Sequence, residues 1–215
     1  MMVSTPRTFI AVYADESCLG NGMEGENPGG AGGLIQIFKH AGANPVQRDY
    51  WISEPATTNN RMALRSAITA FEILSAKKQR LRVLVTSDSQ YLVRGMTVWA
   101  RDWISRGWRR KSGSIGNLDL WQELLSRASE HHHSWRWLKG HAWHPQNEYA
   151  NHLATSAAAT QTSSPGAVPS GFDEWLAAER SRPSSRMTRE AEKAPNPLEF
   201  RAGCTLRSFV AERLL

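Results

Sequence analysis

The sequence predicts an α/β fold built on one mixed sheet, and three features carry that prediction. Phe9 to Ala14 is a continuous apolar run, the pattern of a strand buried on both faces. Two β-rich stretches, Leu34 to Phe38 and Gln47 to Ser53, follow it, which is the order of an antiparallel meander. Then Leu64, Ala67, Ile68, Phe71 and Leu74 recur at helical spacing before a short β-rich run from Leu81 to Thr86. Strand, helix, strand in that succession is how a chain crosses over to a parallel neighbour.

Taken in order, the first strand ends at Ala14 with Asp15 just beyond it, and the Gly-, Asn- and Pro-rich stretch from Gly20 to Gly33 reads as a loop. Asn59 or Asn60 is placed to cap the first helix, which runs out near Lys77 and Lys78. Asp88 falls just past the Leu81 to Thr86 strand, so Asp15 and Asp88 can converge. Ser89 to Arg106 reads as a helix with a weak point at Gly95, and Leu118 to Glu130 as another. His131 to His133 read as a solvated turn. Ser134 to Lys139 alternates Trp135 and Trp137 with Arg136 and Leu138, as a last strand would, and a loop from Gly140 to Pro145 leads to a final helix from Gln146 to about Ala159. After Thr160 the prolines 165, 169, 183, 195 and 197 interrupt any long element. The expected organisation is therefore a domain over 8–160 and a largely irregular extension over 161–215, with short helices near Phe172 to Arg180 and Leu206 to Leu215.

Composition narrows the function. A chain of 215 residues with 40% hydrophobic residues and nine Trp has material for a packed core. It contains no apolar run near the ~18 residues of a membrane span, and Met1 to Arg7 lack the apolar stretch of a secretory signal, so the expectation is a cytoplasmic protein without membrane contact. Cys18 and Cys204 are far apart and lack metal-ligand spacing, which argues against a disulfide framework or a zinc site. The net charge is +6, and its placement matters more than its size. Arg94, Arg101, Arg106, Arg109, Arg110 and Lys111 stand against one acid, Asp102, and are interleaved with Trp99, Trp103 and Trp108. Cations that neutralise phosphates beside aromatic faces that pack on sugars or bases suit nucleic acid, although a solvated helix face has the same composition.

Two carboxylates at the ends of adjacent strands are costly to bring together unless a cation neutralises them, so Asp15 and Asp88 point to a divalent metal. Phosphodiester hydrolysis is served by two such ions and several oxygen ligands, of which these supply part.

The runs Tyr13-Ala-Asp-Glu-Ser-Cys-Leu-Gly-Asn21, Thr57-Thr-Asn-Asn-Arg-Met62, Thr86-Ser-Asp-Ser-Gln-Tyr91 and Lys139-Gly-His-Ala-Trp-His-Pro145 occur in this order. Together with Arg106-Gly-Trp108, Asn117-Leu-Asp-Leu-Trp-Gln122 and Asn147-Glu148, the chain resembles bacterial ribonuclease HI over roughly residues 8 to 160. The resemblance implies a mixed five-stranded sheet with flanking helices, and cleavage of the RNA strand of RNA/DNA hybrids with Mg²⁺ or Mn²⁺, by a monomer without an organic cofactor. It implies that Asp15 bridges two metals, that Asp88 is a second ligand and that His141 moves protons or helps exchange. The family's Glu after the Asn-Asn-Arg-Met run is Ala63 here, and its last Asp is Asn151, which keeps only a carbonyl oxygen as a weak ligand. Of the nearby acids, Glu16 adjoins Asp15 but strand alternation sends it to the opposite face. Glu72 lies about half a revolution from Ala63 around the helix. Glu148, one turn before Asn151, is the acid best placed to stand in, but the resemblance carries a Glu at this position beside its Asp and so implies an outer place around the metal for Glu148.

For substrate, the resemblance assigns Asn21, Thr58, Asn59, Asn60 and Gln90 to the hybrid's minor groove and phosphates, and Trp99, Trp103, Arg109 and Arg110 to a basic protrusion that grips the DNA strand. Two functions stay open on the sequence alone. One is an endoribonuclease with a reduced ligand set; the other is a hybrid-binding module that has lost the chemistry.

Overall fold

The computed structural model describes residues 8–20, 27–40, 43–110 and 112–182. Asn21, Lys111, Cys204 and the expected helix at 206–215 lie outside the described residues. One sheet organises the rest. Its strands are β1 (Phe9–Cys18), β2 (Gly29–Phe38), β3 (Val46–Glu54), β4 (Arg82–Ser87), β5 (His132–Trp137) and β6 (Val168–Pro169), in the order β5-β4-β1-β2-β3-β6. β1 runs antiparallel to β2 and parallel to β4, and β4 parallel to β5, so the sheet is mixed.

Period-two alternation along β1 divides the core. Ile10, Val12 and Ala14 face α1 (Asn59–Ser75) and pack with its Ala63, Leu64 and Ala67. The same layer takes in α4 (Leu118–Ser129) through Trp121, Leu124 and Leu125. Phe9, Ala11 and Tyr13 face the other way, onto α5 (Pro145–Thr160), where they join Leu34, Tyr149 and Ala150. β2 permits that contact because Gly30 and Gly32 carry no side chain. A Cβ on Gly32 would stand 2.6 Å from the Ala154 nitrogen and 2.8 Å from the Ala150 carbonyl oxygen. Half of β2 was expected to be loop; its glycines are instead paired strand residues that bring the α5 backbone against the sheet.

Other differences have local causes. Thr58, rather than Asn59 or Asn60, caps α1, its hydroxyl accepting from the Arg61 N–H at 3.3 Å. Arg61 and Arg65 both pair with Glu54, at 2.9 and 3.2 Å, and fasten the start of α1 to the end of β3. The expected helix over 89–106 is α2 (Gln90–Arg94), a π-helical turn (Gly95–Trp99) and α3 (Ala100–Ser105), with the irregularity starting at Gly95. The His131 to His133 segment is no solvated turn. His131 is buried, its Nδ1 accepting from the Leu81 N–H at 3.3 Å and its Nε2 3.2 Å from the Ser75 hydroxyl, and the two residues after it open β5.

Packing also continues beyond residue 160. The Ser164 N–H donates to the Trp51 carbonyl at 2.9 Å, the Ser163 and Ser164 hydroxyls accept from β3 N–H groups, and Val168 and Pro169 pair with Asp49 and Arg48 as the sixth strand. α6 (Phe172–Ser181) then buries Phe172 and Leu176 in the α5-side core. Asp49, buried at the centre of this join, accepts from the Tyr149 hydroxyl at 2.7 Å and the Gly171 N–H at 3.0 Å.

Candidate active site

The parallel register between β1 and β4 creates the site. Tyr13 pairs with Thr86, so two residues further on Asp15 and Asp88 leave neighbouring strands on the α5 face. β4 stops at Ser87 while β1 continues to Cys18, leaving the β4-side edge of β1 uncovered there. Glu16 does alternate onto the α1 face, yet its side chain comes round that open edge. One carboxylate oxygen from each of Asp15, Glu16 and Asp88 lies within 4.8 Å of the others. This differs from the expectation, drawn from strand alternation, that Glu16 points to the opposite face, while Glu148 lines the same pocket. Alternation specifies a face, but beyond the end of β4 that edge of β1 has no neighbouring strand to keep the two faces apart, β2 flanking only the other edge.

Asn59, Ser89, His141, Asn147, Glu148 and Asn151 complete the pocket around these carboxylates. Asp15, only 6% exposed, accepts from the Glu16 N–H at 2.7 Å and from the Asn147 side-chain amide at 3.0 Å. Burial pushes its carboxyl up to about 8, with the charges of Asp88 and Glu148 adding to the effect. Burial, then Asp15 and Asp88, raises Glu16 well above the usual carboxylate range; burial also raises Asp88. Glu16 Oε2 and Asn59 Oδ1 are both buried without a hydrogen-bond partner. Three crowded carboxylates with an oxygen left over fit a divalent cation, whose charge would replace the protons that crowding otherwise retains.

Ala63 is wholly buried in the α1-side core, four residues after Asn59 and therefore one turn deeper on the same helix face. The strand-borne Glu16 thus brings a carboxylate to the α1 side of the site, where Ala63 brings none. Asn151 lines the pocket, and its amide oxygen lies 3.5 Å from the Thr155 hydroxyl. His141 also lines it, from a loop in which His141 and Trp143 have φ of 52° and 63°. Gly140 makes room for Asp88: a Cβ there would stand 2.5 Å from Asp88 Oδ2.

Of the substrate residues expected from sequence, Asn59 lies in the pocket and Thr58 and Asn60 flank it at the α1 N-terminus, while Gln90 is exposed at the start of α2, two residues after Asp88. Trp99, Trp103 and Arg110 share a separate cleft with Tyr91, Arg106 and Ile115, and Arg109 is exposed beside it. Sequence reasoning set Glu16 aside and named Asn147 without giving it a task; the signal for the first was its place beside Asp15 at the end of a strand that outruns its neighbour.

Comparison with known proteins places the fold. The RNase H family model matches residues 7–159. The chain belongs to the RNase H family. Ribonuclease H of Stutzerimonas stutzeri (strain A1501) is 41% identical over 147 residues, 68% of this chain and 89% of that protein. Ribonuclease H of Klebsiella pneumoniae (strain 342) is 38% identical over 154 residues, covering 71% and 91%. The crystal structure of LC9-RNase H1, a type 1 RNase H with the type 2 active-site motif, is 55% identical, has a TM-score of 0.82 and covers 92% of this chain and 93% of its own. LC11-RNase H1, solved in complex with an RNA/DNA hybrid, is 20% identical with a TM-score of 0.52 over 71% of this chain and 98% of its own, and shares the fold. The family works with divalent metal. Among the described residues no helix is long and apolar enough to cross a membrane.

Proposed function

We propose that this chain is a metal-dependent endoribonuclease that hydrolyses the RNA strand of RNA/DNA hybrids, using Asp15, Glu16 and Asp88 as its carboxylate ligands. The observation that carries the reading is the third carboxylate. The case for a binding module without chemistry rested on Ala63 and Asn151 leaving two acids, and Glu16 supplies a third. The 55% identical relative described as a type 1 enzyme with a type 2 active-site motif supports a rearranged but working ligand set, and impaired activity is not favoured.

Mg²⁺ or Mn²⁺ bound here would neutralise the carboxylates, polarise the scissile phosphodiester and lower the pKa of attacking water. The chain's own residues do the rest. Asn147 fixes the Asp15 carboxylate through its amide. Asn151 offers a neutral oxygen at the pocket wall. His141, exposed on its loop and close enough to Asp88 to favour that group's charged form, is placed to carry a proton to or from the reacting phosphate. Thr58, Asn59 and Asn60, with Gln90 and Asn21, read the hybrid through hydroxyl and amide groups, and Trp99, Trp103, Arg109 and Arg110 hold the DNA strand. All three acids come from one chain, which suits a monomer.

The test is cleavage of a labelled RNA/DNA hybrid across Mg²⁺ and Mn²⁺ concentrations, by wild type and by Asp15→Asn and Glu16→Gln. Metal-dependent cleavage lost in both variants is expected; tight hybrid binding by wild type without cleavage would restore the binding-module reading.

A further inference from the structure

Two partly exposed tryptophans adjoin residues of the carboxylate pocket, where the proposed reaction does not use them. Trp137, 46% exposed at the end of β5, donates its ring N–H to the Asp88 carbonyl at 3.0 Å. Trp143, 39% exposed, lies two residues after His141, and its backbone N–H is held by Glu148 Oε1 at 3.2 Å. His141 and Glu148 both line the pocket, so Trp143 is tied to its rim from two sides.

Trp143 also carries a conformational cost. Its φ of 63° lies in the left-handed region, where a bulky side chain is disfavoured relative to glycine by about 1 kcal/mol. Trp143 is not among the buried core residues and keeps 39% of its surface accessible. A flat amphipathic ring held at the rim of a site that takes a phosphodiester fits a nucleotide: its face accepts a ribose or base, whatever the sequence.

We propose that Trp143 is a substrate-binding residue, its indole packing against the sugar or base of the nucleic-acid strand whose phosphate occupies the carboxylate pocket, with Glu148 positioning it through the Trp143 N–H. The occupant follows from proximity: His141, from the same loop as Trp143, lines the pocket that would take the phosphate, so the neighbouring nucleotide is the group within reach of the indole. This assignment rests on the function proposed above.

The deciding variant is Trp143→Gly, because glycine accepts the left-handed backbone without strain and leaves the loop in place. Stability should hold or rise. Affinity for a labelled RNA/DNA hybrid, measured by fluorescence anisotropy in EDTA so that no cleavage intervenes, should weaken about tenfold, within the range of base–aromatic stacking. In Mg²⁺ the loss should fall on KM more than on kcat, and Trp143→Tyr should keep most of the affinity. A Trp143→Gly protein that binds the hybrid as wild type does overturns the assignment while wild-type cleavage leaves the functional reading standing. Wild-type protein that neither binds nor cleaves the hybrid overturns both.

Discussion

The two faces of the sheet reach the same pocket by different means. On the α5 face everything comes from where alternation puts it: Asp15 and Asp88 from neighbouring strands, Asn147, Glu148 and Asn151 from one side of a helix. On the α1 face the helix contributes a buried methyl at Ala63, and the acid comes from β1 itself. What a metal site specifies is a set of oxygens in space. A strand that outruns its neighbour can deliver one of them as well as a helix can.

The strongest way to break that comparison is to move the carboxylate. Glu16→Ala should reduce metal-dependent cleavage by about a hundredfold or more, the size of effect expected when a group acting directly on transition-state charge is removed. Adding Ala63→Glu to that variant should recover part of the loss if the helix can present an acid to the same point. Ala63→Glu alone should not raise activity, since it crowds another charge beside a cluster of three carboxylates, and should lower the melting temperature. Cleavage unaffected by Glu16→Ala would mean that the strand-borne acid is not a ligand.

Coverage separates the faces as well. The α1 face is closed by α1 and α4, whereas the α5 face borrows Phe172 and Leu176 from α6. Truncation after Thr160 should therefore cost about 3–5 kcal/mol, from two buried apolar side chains and the Asp49 contacts, read as a lower urea midpoint. An unchanged midpoint would show that α6 only rests on the surface.

Smaller changes probe Asn151, the proposed weaker ligand. Asn151→Asp adds a charge on the α5 face and should lower the Mg²⁺ concentration for half-maximal cleavage by about tenfold, roughly 1.4 kcal/mol. No shift would place Asn151 outside the ligand set. The smallest expected effect is on pH dependence without metal. Raised pKa values in the folded state mean that Asp15 and Glu16 keep protons which the unfolded chain releases above about pH 4. The stability from those protons is complete below that pH and is lost as pH rises toward about 8, the value for Asp15. In EDTA, wild type should lose stability relative to Glu16→Gln across that window, and Mg²⁺ should return it. A constant difference between the two proteins would break the picture of carboxylates crowded at one strand end.

Much of this was legible in the sequence. An apolar run placed the core of β1, β-rich stretches and alternation placed β3 to β5, and helical spacing placed α1, because those patterns follow from burial itself. β2 was half hidden, since its glycines serve a close approach of α5 that only the packed molecule reveals. Asp15 and Asp88 were readable from strand ends, but the place of Glu16 depended on β1 extending four residues past Ala14, beyond the end of β4. The tail was obscured by its prolines. Phe172, Trp175 and Leu176 have helical spacing, and Phe172 to Arg180 was an expected short helix, yet spacing alone does not say which surface such a helix covers.

The Ser163 to Pro169 segment has a further consequence. β3 would otherwise end the sheet with a row of unmet N–H and C=O groups at Asp49, Trp51 and Ser53, an invitation for another copy of the strand to add on. Seryl hydroxyls and a two-residue strand occupy those groups, and Pro169 has no N–H with which to extend the ladder outward. The tail's contribution includes keeping molecules apart: a protein cut short of it would present an open strand to its neighbours and join them edge to edge.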